Sequence, residues 1–316
     1  MNTYQKILEE KVKIYALSPM EDVTDTVFRQ ILCDIGRPDL FFTEFMSTDG
    51  YMSKGRDKVS HRMQFTERER PIVIQLWGNH PENYSGTVKD IIKLKPDGID
   101  INIGCSVRTV INSGHCSALI KEPDLVKEII DAVKTEAKDI PVSVKTRLGY
   151  DEVITEEWLS FLLEQNLDLI TVHGRISKQG YDEPADWDEM AKVVKLRDMI
   201  SPTTVILGNG DIADLNMADE YIDKYGVDGV MIGRAVMQNP WIFANRGRIP
   251  KVERLNVLKK HLELFKDTWE GVKPFNTQKK YIKMYIGNFE GANELRMKLM
   301  QCNDSDEALE IIREII

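Results

Sequence analysis

The stretch TTVILGNGDIADLNMADEYIDKYGVDGVMIGR, residues 203–234, reads as two short apolar runs around one amphipathic helix. TTVILGN (203–209) and GVMIGR (229–234) are apolar and bounded by glycine, as buried strands are. Between them, ADLNMADEYIDKYG offers Asp214 as a helix N-cap and stops at Gly226. Strand, helix, strand is the repeating unit of a parallel sheet.

Six further runs of the same kind precede it: KIYALSP (13–19), LFFTEF (40–45), PIVIQLW (71–77), GIDINIG (98–104), PVSVKTR (141–147) and DLITVHG (168–174). Consecutive starts lie 26 to 43 residues apart, enough for a strand and a helix each time. EPDLVKEIIDAVKTEA sets Leu125, Val126, Ile129, Ile130 and Val133 at intervals of three and four, one apolar helix face. TEEWLSFLLEQN follows with Thr155 as its expected N-cap and acids in its first turn. Eight strands alternating with helices predict an α/β fold, a (β/α)8 TIM barrel. An open doubly wound sheet would carry G-x-G-x-x-G after its first strand, where SPMEDVTD stands instead. Beyond residue 245 the pattern is wholly helical: RLNVLKKHLELFKDTW, TQKKYIKMYIGNF, NELRMKLMQ and DEALEIIREI. The expected division is a barrel at 1–244 and a small all-α helical domain at 245–316.

Composition narrows the function. Hydrophobic residues make up 42% and charged residues 29%, an ordinary globular balance. No window approaches the ~18 apolar residues of a membrane span. MNTYQKILEEKVKIYALSP (1–19) carries charges where a signal peptide has its apolar core, so a cytoplasmic protein with no membrane partner is expected. The four cysteines, Cys33, Cys105, Cys116 and Cys302, form no CxxC pair. Neither a disulfide framework nor a metal site is expected from them. The net charge of −9 argues against a protein that coats nucleic acid non-specifically. Residues 246–298, however, hold 13 Lys and Arg against six acids, +7, and the remainder is −16. This is an acidic body with a basic C-terminal part.

In a (β/α)8 barrel the chemistry gathers at the C-terminal strand ends. Here those positions are Ser18-Pro19-Met20, Thr43-Glu44, Gln75, Asn102 and Cys105, Lys145 and Arg147, His173 and Arg175, Asn209-Gly210-Asp211, and Gly233-Arg234. Nearly all are polar, which favours a site over packing. GNGDI after strand seven and IGR after strand eight read together as a phosphate site, from glycine backbone and the Arg234 guanidinium. Gln75, Lys145, Arg147 and His173 suit a planar, anionic heterocycle such as a reduced flavin. Pairing of Lys145 with Asp100 is the competing reading. Cys105, one residue past the glycine that ends its strand, is by itself open to four readings: packing, half a disulfide, a metal ligand or a catalytic group.

SPMEDVTDTVFR (18–29), INIGCS (101–106), SVKTRLG (143–149), TVHGR (171–175), GNGDI (208–212) and IGRAVMQNPWIF (232–243) together resemble the tRNA-dihydrouridine synthases. The resemblance runs from about residue 14 to the C-terminus, with six motifs in order and each at an expected strand end. It implies an FMN-dependent barrel with a helical C-terminal domain. Carried over residue by residue, Pro19, Met20 and Glu21 match the first FMN-contacting turn. Gln75, Lys145 and His173 match residues around the flavin ring. Asn209, Gly210, Asp211, Gly233 and Arg234 match the clamp on the ribityl phosphate, and Cys105 matches the catalytic cysteine. Asn102, Arg147 and Tyr181 resemble residues beside the target base. TV at 109–110 and GY…A.W at 180–187 lean toward the bacterial branch acting on uridine 16. The chain departs from the family at Ser106, where proline is usual, at Arg108-Thr109, where lysines are common, and at His115-Cys116, where small residues stand.

The activity so implied is reduction of tRNA uridines to 5,6-dihydrouridine. NADPH or NADH reduces FMN, hydride passes to C6 of the uracil and Cys105 protonates C5. A thiol with its ordinary pKa, about 8.5, suits that role, so Lys145 and Arg147 are expected to face flavin and phosphate rather than Cys105. Lys279, Lys280 and Lys283, with Tyr281 and Tyr285 between them, are the expected grip on tRNA, and Cys116 is expected to be loop packing. The protein is expected to act as a monomer. The alternative is an FMN barrel acting on another RNA, or on a free pyrimidine in the manner of dihydroorotate or dihydropyrimidine oxidoreductases.

Overall fold

The computed structural model describes residues 1–180 and 183–316. Among the described residues, nine parallel strands form one sheet: β1 (Ile14–Leu17), β2 (Phe41–Phe42), β3 (Met46–Ser47), β4 (Ile72–Trp77), β5 (Gly98–Asn102), β6 (Val142–Arg147), β7 (Leu169–His173), β8 (Val205–Asn209) and β9 (Gly229–Ile232). The order is β1-β9-β8-β7-β6-β5-β4-β2, with β3 also on β4. The two ends meet, because Leu40 bridges Ala16 in parallel and the Leu17 amide donates to the Leu40 carbonyl at 3.0 Å. β2 and β3 share one barrel position, so eight positions close the circle and the (β/α)8 expectation holds.

The run LFFTEF is not one strand. Phe41 and Phe42 pair with Ile72 and Val73, and Met46 and Ser47 pair with Leu76 and Trp77. Between them the Thr43 hydroxyl accepts the Gln75 amide at 3.2 Å, in place of a regular ladder bond. The remaining strands read as apolar runs because helices cover their outer faces and side chains fill the interior.

A helix absent from the sequence reading, Thr3–Lys11, packs at the N-terminal strand ends. Its Tyr4 and Ile7 join Ile14, Val73, Leu169 and Val205 in one buried cluster. Its Asn2 cap and Gln5 exchange hydrogen bonds as a capping box. The opposite, C-terminal end of the barrel is left open for a site.

Asp214 caps its helix as expected, accepting the Met217 amide at 2.8 Å, and Gly226 ends it at φ 72°. Thr155 does not cap. The helix starts at Thr155 itself, after Ile154, and the Thr155 side chain is buried.

Past β9 the chain is helical, with Lys251–Trp269, Lys279–Tyr285, Ala292–Gln301 and Ser305–Arg313. Leu255, Leu258, Tyr281 and Tyr285 belong to the same buried cluster as Phe28 and Leu32 of the barrel helix Thr26–Ile35. Full burial of side chains of this size stabilises by about 1.5–3 kcal/mol each, which seats this part firmly against the barrel. Among the described residues, no helix is long and apolar enough to cross a membrane.

Candidate active site

A cavity of about 540 Å³ opens at the C-terminal strand ends. Twelve of the residues read from the sequence as catalytic, cofactor-binding or substrate-binding line it: Pro19, Met20, Asn102, Cys105, Lys145, Arg147, His173, Asn209, Gly210, Asp211, Gly233 and Arg234. Phe45 and Gln238 line it too, and the sequence reading passed over both.

One wall is built on β6 to β8. Lys145 Nζ donates to Asn209 Oδ1 at 3.1 Å, not to Asp100. Burial, followed by the nearby Arg147 guanidinium, brings Lys145 down to about 8. His173 is held well below its ordinary value, first by burial and then by Arg147 and Lys145, so its ring is neutral at physiological pH. Its Nε2 lies 3.2 Å from Arg175 Nη1 and accepts from it. The result is a surface of donors around one neutral imidazole.

Asp211 braces this wall. It accepts from Arg175 at 2.6 Å, the Ala185 amide at 2.8 Å and Arg234 at 2.8 Å. Burial works against its charge, but the Ala185 amide and Arg175 hold the carboxyl below its usual range. Asp211 thereby holds the Arg234 guanidinium at the cavity. Gly210 sits at φ 128°, and a Cβ there would come within 2.6 Å of Ala185 Cβ. The GNGDI turn therefore requires glycine at that position.

The adjoining wall is the loop after β5, the strand next to β6. Asn102 Oδ1 accepts the amides of Gly104 at 2.9 Å and Cys105 at 3.0 Å. Its Nδ2 donates to Gln75 Oε1 at 2.9 Å, and Gln75 Nε2 donates to Asp100 Oδ2 at 2.7 Å. Ser143 Oγ completes the chain onto Asp100 Oδ1 at 2.6 Å. Burial raises Asp100 to about 6. Gln75 is thus sealed beneath the cavity and ties the barrel interior to the Cys105 loop. From the other side, Arg147 donates to the Gly104 carbonyl at 2.6 Å and to Ser106 Oγ at 3.2 Å. Ser106, at the family's usual proline position, gives Arg147 this second anchor.

Cys105 departs from expectation. Its thiol falls to about 6, chiefly through a hydrogen bond from the Cys116 thiol. Burial opposes the shift, while the Val107 amide, Arg147 and Lys145 reinforce it. The two cations do act on Cys105, contrary to the expectation that they face elsewhere. Cys116 is fully buried, as loop packing requires, and it is also the group that lowers the Cys105 thiol most. Farther along the loop, His115 Nε2 meets Asp49 Oδ2 at 2.9 Å, and Asp49 also accepts Asn83 Nδ2 at 2.8 Å. No periodicity marks these partners, because they come from separate elements.

Several singled-out residues lie away from the cavity lining. Glu21 accepts Arg62 Nε at 2.8 Å. Lys280 is half-buried and donates to the Asp22 carbonyl, Lys279 is partly buried, and Lys283 is exposed. Tyr281 and Tyr285 are core residues, with Tyr281 donating to the Val23 carbonyl and Tyr285 OH lying 3.0 Å from His261 Nδ1. They are not available to bases. Tyr181 lies outside the described residues. Among the described residues, no group of three or more His, Cys, Asp or Glu is placed to hold a metal ion.

The fold resembles the solved structure of a point mutant of morphinone reductase in complex with tetrahydroNAD. The TM-score is 0.50 at 10% identity, over 72% of this chain and 85% of that one. "Probable tRNA-dihydrouridine synthase 2" of Bacillus subtilis (strain 168) is 40% identical over 297 residues, 93% of this chain and 91% of that protein. "Probable tRNA-dihydrouridine synthase" of Staphylococcus aureus (strain COL) is 40% identical over 304 residues, 95% and 92% of the two chains. The family profile described as Dihydrouridine synthase (Dus) matches residues 16–316, from β1 through the last helix. By that match, and by relatives this similar over nearly their whole length, the chain belongs to the dihydrouridine synthase family.

Proposed function

We propose that the protein reduces uridines of tRNA to 5,6-dihydrouridine, using FMN at the strand ends and NADPH or NADH as reductant. The observation that carries the reading is Cys105 in one cavity with Lys145, neutral His173 and Arg234. The donor set fits the cofactor. Arg234 and the backbone at Gly210 and Gly233 suit a phosphate, while Lys145 and Arg147 suit a ring that gains negative charge on reduction. When bound, FMN supplies the hydride for C6 of the uracil.

The chain's own residues do the rest. Asn102 and Arg147 hold the loop that presents Cys105, and the Cys105 thiol gives its proton to C5. A base seated over Cys105 excludes water, and burial favours the thiol over the thiolate. The target uridine leaves its stack to reach the barrel mouth. Residues 245–316, a helical domain in this reading, grip the tRNA backbone, with Lys279 and Lys283 nearest to solvent. The protein acts as a cytoplasmic monomer.

The test is direct. The purified protein should be yellow and, with NADPH or NADH, should form dihydrouridine in unmodified tRNA, measured by nucleoside mass spectrometry. Orotate and uracil, offered in parallel, should be turned over poorly. Turnover of a free pyrimidine with unchanged tRNA would move the substrate to the small-molecule class.

A further inference from the structure

Among the described residues, Cys105 and Cys116 are the two thiols that the fold brings back to one another. Cys33 donates to the Arg68 carbonyl at 3.3 Å, and Cys302 to the Lys298 carbonyl at 3.7 Å. Cys116 instead lies against Cys105, although ten residues separate them in the chain, because the chain folds back at Ser117 onto the Cys105 carbonyl.

The pair is held in register by the residue after it. The Ser117 amide and hydroxyl both donate to the Cys105 carbonyl, at 3.2 and 2.7 Å. Ser117 Oγ is itself braced 2.6 Å from Ser177 Oγ. Cys105 lines the cavity and is open to small solutes, whereas Cys116 is wholly sealed behind it. Both are free thiols. The segment between them, including the short helix Arg108–Ile111, contains no fully buried residue from Cys105 to His115, so it can adjust to a new bond at its ends.

We propose that Cys105 and Cys116 are a redox pair, converted by hydroperoxides into a reversible disulfide that caps the active-site thiol. The Cys105 thiolate attacks the distal oxygen of the hydroperoxide. The O–O bond breaks, Cys105 becomes a sulfenic acid, and the alkoxide takes up a proton to leave as the alcohol. Cys116 sulfur then attacks the Cys105 sulfur. The S–S bond forms, and hydroxide leaves with the Cys116 proton as water. Two thiols lose two electrons and two protons, and the hydroperoxide is reduced to alcohol and water. A dithiol reductant restores both thiols by exchange. The lowered pKa of Cys105 supports the first step, since the thiolate is the nucleophile. The family's usual small residue at the position of Cys116 could not resolve the sulfenic acid, so this chain would be protected from overoxidation where such relatives are not.

The experiment uses the full-length flavin-loaded protein and limiting hydrogen peroxide. Titratable thiols should fall from the four of the sequence to the two of Cys33 and Cys302. Non-reducing peptide mapping should show Cys105 linked to Cys116, and dithiothreitol should reverse both changes. In Cys116→Ser, a second equivalent of hydrogen peroxide should take Cys105 from the sulfenic to the sulfinic acid, which resists dithiothreitol. A sulfinic acid on Cys105 in the unmutated protein, or loss of Cys33 or Cys302 first, would overturn the proposal. These readouts are independent of turnover. A Cys105–Cys116 disulfide that left tRNA reduction intact would support the redox pair and count against Cys105 as proton donor.

Discussion

Asn102 Oδ1 accepts the backbone amide of Cys105 at 3.0 Å, a bond that ties the reactive residue to the barrel interior. The same oxygen takes the Gly104 amide, while Asn102 Nδ2 reaches Gln75 and, through it, Asp100. Three of the four hydrogen-bonding positions of Asn102 are thus taken by its own chain, both on the oxygen and one on Nδ2. It serves first as a splint for Cys105, whatever it offers a base.

Asn102→Ala should strand two loop amides and the Gln75 carbonyl oxygen. Leaving a buried group unpaired costs about 1–3 kcal/mol, so turnover on unmodified tRNA should fall on the order of 10- to 100-fold. Flavin content should change little, since Asn102 is remote from the Arg234 end. Wild-type turnover with the same flavin content would show that Cys105 needs no splint.

The proton-donor role proposed for Cys105 fixes a sign for pH dependence. The donor is the thiol, and the free protein holds it near 6, so turnover at subsaturating tRNA should decline as pH rises through that value. Cys116→Ala removes the hydrogen bond that lowers Cys105 most. The alkaline limb of kcat/KM should then move to higher pH. A pH profile identical to wild type would place the controlling group elsewhere.

The eight barrel positions were legible because parallel strands buried on both faces leave continuous apolar runs, as VILGN and GVMI do. The break between β2 and β3 was not, because the Thr43 hydroxyl that replaces a ladder bond depends on Gln75, thirty-two residues away. Asn2 and Gln5 did carry a capping signal for the first helix, which the reading from strands passed over. The cavity lining was legible because strand ends are fixed by sequence position. Cys116 was not, because its partner is set by how the loop folds back, and nothing local to GHCSAL encodes that. The lysines of TQKKYIK misled in part: a helix shows its faces in sequence, but not that Tyr281 and Tyr285 are the buried ones.

Glu44 offers a stability test at the seam between barrel and C-terminal helices. It is 1% exposed, 3.7 Å from Lys273, and burial nevertheless raises it to about 7. Its folded form binds a proton more tightly than the unfolded chain does. The contribution is therefore complete at acid pH and lost as pH rises from the unfolded value toward 7, on the order of 3 kcal/mol. Glu44→Gln keeps an acceptor for the Asp22 amide and removes the buried charge. Between about pH 6 and pH 8 the urea midpoint should drop less in the variant than in wild type. Equal drops would assign the titration to another group, such as Asp100.

Arg234 is aimed by Asp211, which makes the pair separable by mutation. Arg234→Ala should lower flavin retention during purification, removing a cation from the phosphate end. Asp211→Asn should do so more mildly, because Arg175 and Arg234 lose a charged acceptor but keep a polar one. Flavin-to-protein absorbance ratios rank the three proteins. If Asp211→Asn retained less than Arg234→Ala, bracing of the wall by Arg175 would matter more than the guanidinium at the cavity.

The C-terminal lysines can be distinguished by salt. Lys283 is exposed, whereas Lys280 is half-buried with its ammonium on the Asp22 carbonyl. A lysine on an RNA phosphate releases a counterion, so removing it lowers the slope of log Kobs against log salt by roughly 0.7 to 0.9. Lys283→Ala should therefore flatten the salt dependence of tRNA binding by about one contact's worth. Lys280→Ala should leave the slope unchanged while loosening the turn at 20–24 that leads into the cavity, and so reduce kcat instead. A slope change from Lys280→Ala but not from Lys283→Ala would mean that the ammonium leaves Asp22 for RNA. The grip would then share a residue with the turn that shapes the active site.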